Sequence, residues 1–140
     1  MDKVLVIILI MISHSCFSNE KSLNFESYLV ESPRLEQSGS LVNFAGEYIA
    51  YWESVGTGAQ VWHIEHAVTK KKLDAKLLSS NGACFRKDSR LFITDPGMDG
   101  WGELGPPNWY FTRYYLITDD SLELIREDKV GYQGECESGQ

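Results

Sequence analysis

The sequence predicts an all-β fold: a small antiparallel sandwich of two propeller-blade-like units, behind a signal peptide that is cleaved. Three observations carry this. Past residue 18 no stretch sustains the 3.6-residue apolar period of a helix, so little helix is expected. Short runs rich in β-branched and aromatic residues are separated by Gly, Asp, Asn and Ser, as half-buried strands are. The order strand–hairpin–strand occurs twice, as in propeller blades. Two blades cannot close a ring, so they are expected to pack face to face or edge to edge.

The chain opens with Lys3, an apolar run from Val4 to Ile12, and the small residues Ser13, Ser15 and Ser18. That is the order of a secretory signal peptide, and the run is too short for a stop-transfer span. Cleavage after Ser18 is expected, with Cys16 and Ser18 as the small residues before it. Cleavage after Ser15, or lipidation of Cys16, are the alternatives. Ser13-His14-Ser15 lacks the Leu usual three places before a lipidated Cys, which weighs against the anchor. The organisation expected is 1–18 signal peptide, 19–40 N-terminal arm, 41–128 β domain and 129–140 flexible tail. Export leaves Cys84 and Cys136, and two cysteines in an oxidising compartment are expected to pair.

The arm carries an apolar cluster, Phe25, Tyr28, Leu29 and Val30, before the turn signals Ser32-Pro33 and Ser38-Gly39-Ser40. Asn43–Leu73 is the clearest structural signal. In Glu47–Glu53, Tyr48, Ala50 and Trp52 share one face, and Ile49 and Tyr51 the other. Both faces are apolar, which predicts a strand covered on both sides. Gly56-Thr57-Gly58 reverses the chain. In Gln60–Val68, Trp62, Ile64 and Val68 are expected in the core, with His63 and Glu65 facing away. Leu73–Leu78 returns with Leu73, Ala75 and Leu77 on one face. The second unit runs Cys84-Phe85, a turn, Arg90–Thr94, the loop Asp95–Asn108, the aromatic strand Trp109–Thr118 and Leu122–Glu127.

Several segments also resemble, in the same order, a group of small exported bacterial β-rich proteins. They are Phe25-Glu26-Ser27-Tyr28-Leu29-Val30, Asn43-Phe44-Ala45-Gly46-Glu47-Tyr48, Gly56-Thr57-Gly58-Ala59-Gln60, Asp88-Ser89-Arg90-Leu91-Phe92-Ile93, and Tyr114-Tyr115-Leu116 through Leu122-Glu123-Leu124-Ile125. The group's pattern reads F-x-x-Y-P-V, N-F-A-G-x-Y, W-G-C-G-T-G-C-Q and D-S-R-L-L-I. It has no established activity, so the resemblance implies location and fold and names no function. Here Val55 and Ala59 stand where the pattern flanks its Gly turn with cysteines, so that staple is absent, and Leu29 replaces the Pro.

Charge and motifs narrow the function. With 20 acidic against 13 basic residues the net charge is −7, which argues against nucleic acid or an anionic membrane as partner. His63-Ile64-Glu65-His66 is the only local cluster of metal-capable side chains, but His66 falls on the opposite strand face and a zinc site needs three or four converging ligands. No metal or cofactor is expected. There is no G-x-S-x-G elbow and no phosphate-cradling Gly loop before a helix. The loop Asp95–Asn108 has 14 residues, with four Gly and three Pro, and a long loop in a compact domain is a functional candidate. Its carboxylates, Asp95, Asp99 and Glu103, lack EF-hand spacing. Trp101 with Trp109 and Tyr110 is the candidate aromatic platform, with Asp99 and Glu103 beside it; the competing role for Trp101 is to cap the core. The reading is a secreted or periplasmic, non-catalytic binding protein for an unknown protein or glycan, with no membrane span. A sugar-binding protein or hydrolase using residues 95–110, or an inhibitor or immunity-type protein for a cationic enzyme, are the alternatives.

Overall fold

A computed structural model describes residues 23–31 and 41–136. The signal-peptide segment, Cys16, the first and last parts of the 19–40 arm, and residues 137–140 lie outside them. The elements are β1 (Tyr48–Ser54), β2 (Gln60–His66), β3 (Leu77–Ser79), β4 (Ala83–Phe85), β5 (Leu91–Thr94), β6 (Thr112–Thr118) and β7 (Ser121–Asp128), with short 3-10 turns at Phe25–Tyr28 and Gly102–Leu104. The protein is all-β, with two antiparallel sheets ordered β1-β2-β3 and β4-β5-β6-β7. Among the described residues no helix is long and apolar enough to cross a membrane.

One apolar cluster draws on both sheets. Tyr48, Ala50, Trp62, Ile64 and Leu77 from the first meet Phe85, Phe92 and Ile117 from the second, with Phe44 fully buried between them. The Phe85 and Phe92 rings stack at 5.1 Å, and Trp62 meets them edge-on at 5.6 and 5.8 Å. Offset and edge-to-face pairs of this kind contribute about 0.5–1.5 kcal/mol each beyond the area they bury. The indole N–H of Trp62 donates to Ser79 Oγ at 2.9 Å, so the buried polar edge is satisfied.

The doubly covered strand is β5, not β1. All four β5 residues are buried: Phe92 faces the first sheet, while Leu91 and Ile93 join Phe25, Tyr28, Cys84 and Tyr114 in a second cluster on the far side. The expectation for Glu47–Glu53 fails because the first sheet packs on the second with one face, leaving the other face of β1, the edge strand of its sheet, only partly covered. Ile49 and Tyr51 are half-buried, and Trp52, at the end of the strand, is 50% exposed. An edge strand offers unpaired N–H and C=O groups to other chains. Asn43 closes part of that edge, since its side chain accepts from Ala50 N–H at 2.7 Å and donates to Ala50 C=O at 2.9 Å. Val68 is another correction. It is 72% exposed, because β2 ends at His66 and Lys70 N–H bonds back to His66 C=O at 2.9 Å in a turn. The expected Leu73–Leu78 strand is regular only over Leu77–Ser79, though Leu73 and Leu77 are buried as patterned. The aromatic strand begins at Thr112, since Tyr110 N–H is taken by Pro107 C=O in a turn.

The second cluster is closed by both ends of the described chain. Ser89, fully buried, shares its hydroxyl between the carbonyls of Phe25 (3.0 Å) and Tyr28 (3.3 Å), and Arg90 N–H bonds Tyr28 C=O at 2.8 Å. The arm is thereby held on the β4–β5 turn. From the other end Tyr132 packs edge-on against Phe25 at 5.4 Å. Cys136 is joined to the buried Cys84 by a disulfide, with Cα atoms 5.6 Å apart and a sequence separation of 52.

A cross-link closing a loop of that length restricts the unfolded chain by about 4 kcal/mol in the chain-entropy account. Urea unfolding with and without reductant should therefore show a loss of about 2–5 kcal/mol on reduction. Equal stability in both states would mean that the bridge does not secure the outer cluster.

Candidate functional site

The loop after β5 is built from its root outward. Asp95 is buried and has φ 52°, so it turns the chain sharply out of the strand. Its Oδ1 accepts the N–H groups of Ser80 and Asn81, each at 2.7 Å, and its carbonyl accepts the Thr112 hydroxyl at 2.6 Å. The carboxylate thus joins the β3–β4 connection to the loop. Burial pushes the Asp95 carboxyl above its ordinary value, while the N–H groups of Asn81 and Ser80 pull it down.

Farther along, Tyr110 fixes the two arms of the loop together. It is 1% exposed, its hydroxyl donates to Gly97 C=O at 2.6 Å, and its N–H donates to Pro107 C=O at 3.0 Å. Burial raises its phenol pKa, against the hydrogen bonding of Asn81 and Trp101. At the tip Gly105, with φ 67°, donates its N–H to Gly102 C=O at 3.2 Å, a backbone state that glycine adopts without strain. The tail braces the root: Tyr132 N–H bonds Pro96 C=O at 2.8 Å, and a Cβ on Gly131 would come within 3.0 Å of the Met98 side chain and 3.1 Å of Pro96 C=O.

The structure brings the three aromatic candidates together. Trp101 meets Tyr110 edge-on at 5.0 Å and Trp109 at 5.9 Å, and Trp109 meets Tyr110 at 6.1 Å. They play different parts. Tyr110 is core, Trp101 is half-buried against it, and Trp109 is 62% exposed. Asp99 and Glu103 are exposed on the outer stretch of the loop, while Asp95 is turned inward to backbone N–H groups, so the three carboxylates do not converge. Beside Trp109 lies a cleft of about 270 Å³, walled by Ala59 of the β1–β2 turn, Leu78 and Ser79 of β3, Ser80, the loop residues Asp95, Trp109 and Tyr110, and Arg113 of β6. Arg113 Nε holds Glu127 Oε2 at 3.2 Å. Arg113, Leu78 and Leu104 were not singled out in the sequence. Leu104, 97% exposed between Glu103 and Gly105, was the most legible of them, while the approach of Leu78 to Trp109 has no local signal.

The histidines are used locally. His63 stacks on Tyr51 at 5.2 Å with Nε2 3.4 Å from Glu53 Oε2, and His66 Nδ1 accepts the N–H groups of Val68 and Thr69 at 3.2 and 3.3 Å. Among the described residues no three His, Cys, Asp or Glu side chains are grouped to hold a metal ion. A larger cleft of about 600 Å³ is lined by Glu31, Glu47, Tyr48, Arg90 and Asp119, among others. Two of its polar groups have uses within the fold: Tyr48 donates a short hydrogen bond to Asp120, and Glu47 faces His66 Nε2 at 3.7 Å. Comparison with family models, curated proteins and solved structures finds no match for this chain.

Exposure separates the roles of the aromatic residues. Tyr110→Ala should cost about 3–5 kcal/mol of folding stability, as deletion of a buried aromatic does. Trp109→Ala should change it by less than about 1 kcal/mol. Denaturant melts of both variants check this, and equal losses would make Trp109 part of the core.

Asp95 yields a pH dependence. Its folded-state pKa lies above the ordinary value of 3.8, so the folded chain holds this proton more tightly than the unfolded chain. The stability so contributed is complete below the unfolded value and is lost as pH rises through the folded one. Asp95→Asn keeps an acceptor for Ser80 and Asn81 and should flatten that decline. Asp95→Ala strands both N–H groups and should cost about 1–3 kcal/mol at every pH. Melts from acid to neutral pH on the three proteins check the pattern.

Proposed function

We propose that the protein is exported to the periplasm or outside the cell, and that it binds a ligand there without catalysing a reaction on it. In this reading the two sheets are blade-like units packed as a sandwich, and the working surface is the loop end that carries Trp101, Trp109 and Tyr110. Export rests on the Lys3 and Val4–Ile12 pattern, and the disulfide suits an oxidising compartment.

The single observation that carries the binding reading is the 62% exposure of Trp109 on a loop braced by hydrogen bonds at Tyr110, Asp95 and Tyr132. A Trp held in place offers wide contact area at little entropic cost, and such residues dominate many binding surfaces. Asp95, the buried carboxylate at the site, spends Oδ1 on backbone N–H groups. A second reading is favoured by Leu104. A leucine 97% exposed beside Glu103, on a stretch from 95 to 112 with no Lys or Arg, suits an inhibitor or immunity-type protein that presents an acidic loop to a cationic cleft.

Both readings put recognition on the loop, and paired baits test that. Mature protein and its Trp109→Ala variant are immobilised and exposed to envelope extract of the source cells. The binding reading expects a species retained by the first and lost from the second. Identical retention on both baits would remove Trp109 from the site. Charge reversal at Asp99 and Glu103 should abolish capture only under the inhibitor reading.

A further inference from the structure

We propose that the cleft beside Trp109 takes a neutral sugar, one pyranose ring of a glycan, stacked on the exposed indole. This rests on the binding reading above and names its ligand class. Four observations lead there. The Trp109 ring is in steeply inclined contact with Trp101 and Tyr110, while most of it stays open to solvent. A flat, rigid apolar face of this kind matches the C–H face of a pyranose. The cleft wall next to it carries donors and acceptors together. Among the described residues, Arg113 uses only Nε in a hydrogen bond, to Glu127, so its four Nη protons are unspent. The Ser80 hydroxyl has no described partner, and Asp95 spends Oδ1 on two N–H groups while Oδ2 has none. Hydroxyl groups both donate and accept, and a sugar ring displays several, so it is served by such a mixed set. One cation and one carboxylate also leave the lining without a dominant charge, which favours a neutral ligand over an anionic one.

Size agrees. About 270 Å³ is just below the range of drug-sized sites and holds one ring, with neighbouring units outside along the surface. The protein-partner reading rests on Leu104, which does not line this cleft. A single ring contacting one aromatic face and a few polar groups should bind with a dissociation constant on the order of 1 mM, tighter in a longer oligomer.

The test is a titration of the mature, disulfide-intact protein, followed by the NMR signal of the Trp109 indole N–H. The probes are soluble neutral oligomers of glucose, galactose, mannose and N-acetylglucosamine. At least one should move that signal saturably. Trp109→Phe should keep affinity within about threefold, and Trp109→Leu should lose about tenfold or more, because the flat ring and not its apolar area is what stacks. Arg113→Ala should weaken binding about fivefold or more through the lost hydrogen bonds. Unchanged melting temperatures exclude unfolding as the cause. No saturable shift with any probe overturns the proposal, as does full affinity in Trp109→Leu. If the sugars fail while the bait experiment still retains a protein through Trp109, the binding reading stands and the glycan assignment falls. If both fail, both fall.

Discussion

The disulfide between Cys84 and Cys136 is the constraint on which the rest depends. A sheet of four strands can bury one face against the other sheet, but its second face needs a separate cover. Here the cover is a 3-10 turn from the N-terminal arm and a tail of a few residues, neither of which has enough surface to stay docked alone. Anchoring Cys136 to a fully buried Cys84 lays Tyr132 over Phe25, and the same stretch bonds Pro96 at the root of the loop. One covalent bond thus closes the outer cluster and braces the site. An all-β chain also has a high share of long-range contacts, so a cross-link within it removes many non-native arrangements at once.

Asn43, Phe44, Gln60 and Ser89 hold the frame. Asn43 brackets Ala50 on the β1 edge, Phe44 sits at the centre of the core, Ser89 holds the arm through two carbonyls, and Gln60 accepts from Ser79, which supports Trp62. Of these residues only Ser79 lines the cleft at Trp109. The others lie apart from the cleft, as expected where binding residues sit on connections between rigid elements.

Local patterns foretold much of this. The Gly56-Thr57-Gly58 reversal, the β4–β5 hairpin, the β6–β7 hairpin and the pairing of the two cysteines follow from turn chemistry, alternation and an even cysteine count. What alternation could not reveal is how many layers cover a strand. β1 read as apolar on two faces, yet it is β5 that has a layer on each side, because covering depends on where the arm and tail dock. The aromatic trio was legible as a set of residue types, Trp101 on the loop and Trp109 and Tyr110 at the start of the strand expected after it. Their division into core, brace and exposed face was not, since it depends on hydrogen bonds from Tyr110 to the carbonyls of Gly97 and Pro107, which carry no side-chain signal. The cleft itself joins residues from 59 to 113, a juxtaposition that only the packing of two sheets creates.

The account stands on the claim that the disulfide-held tail keeps the loop in one conformation. Amide hydrogen exchange on the oxidised and reduced protein measures this directly, because Tyr132 N–H, Tyr110 N–H and Gly105 N–H each report one brace of the loop. The account predicts slow exchange at all three in the oxidised protein. On reduction Tyr132 should lose protection first and the loop amides next, while the β5–β6 ladder remains protected. Free exchange of Tyr110 and Gly105 in the oxidised protein would contradict it, since Trp109 would then stand on a mobile loop and not on a built surface.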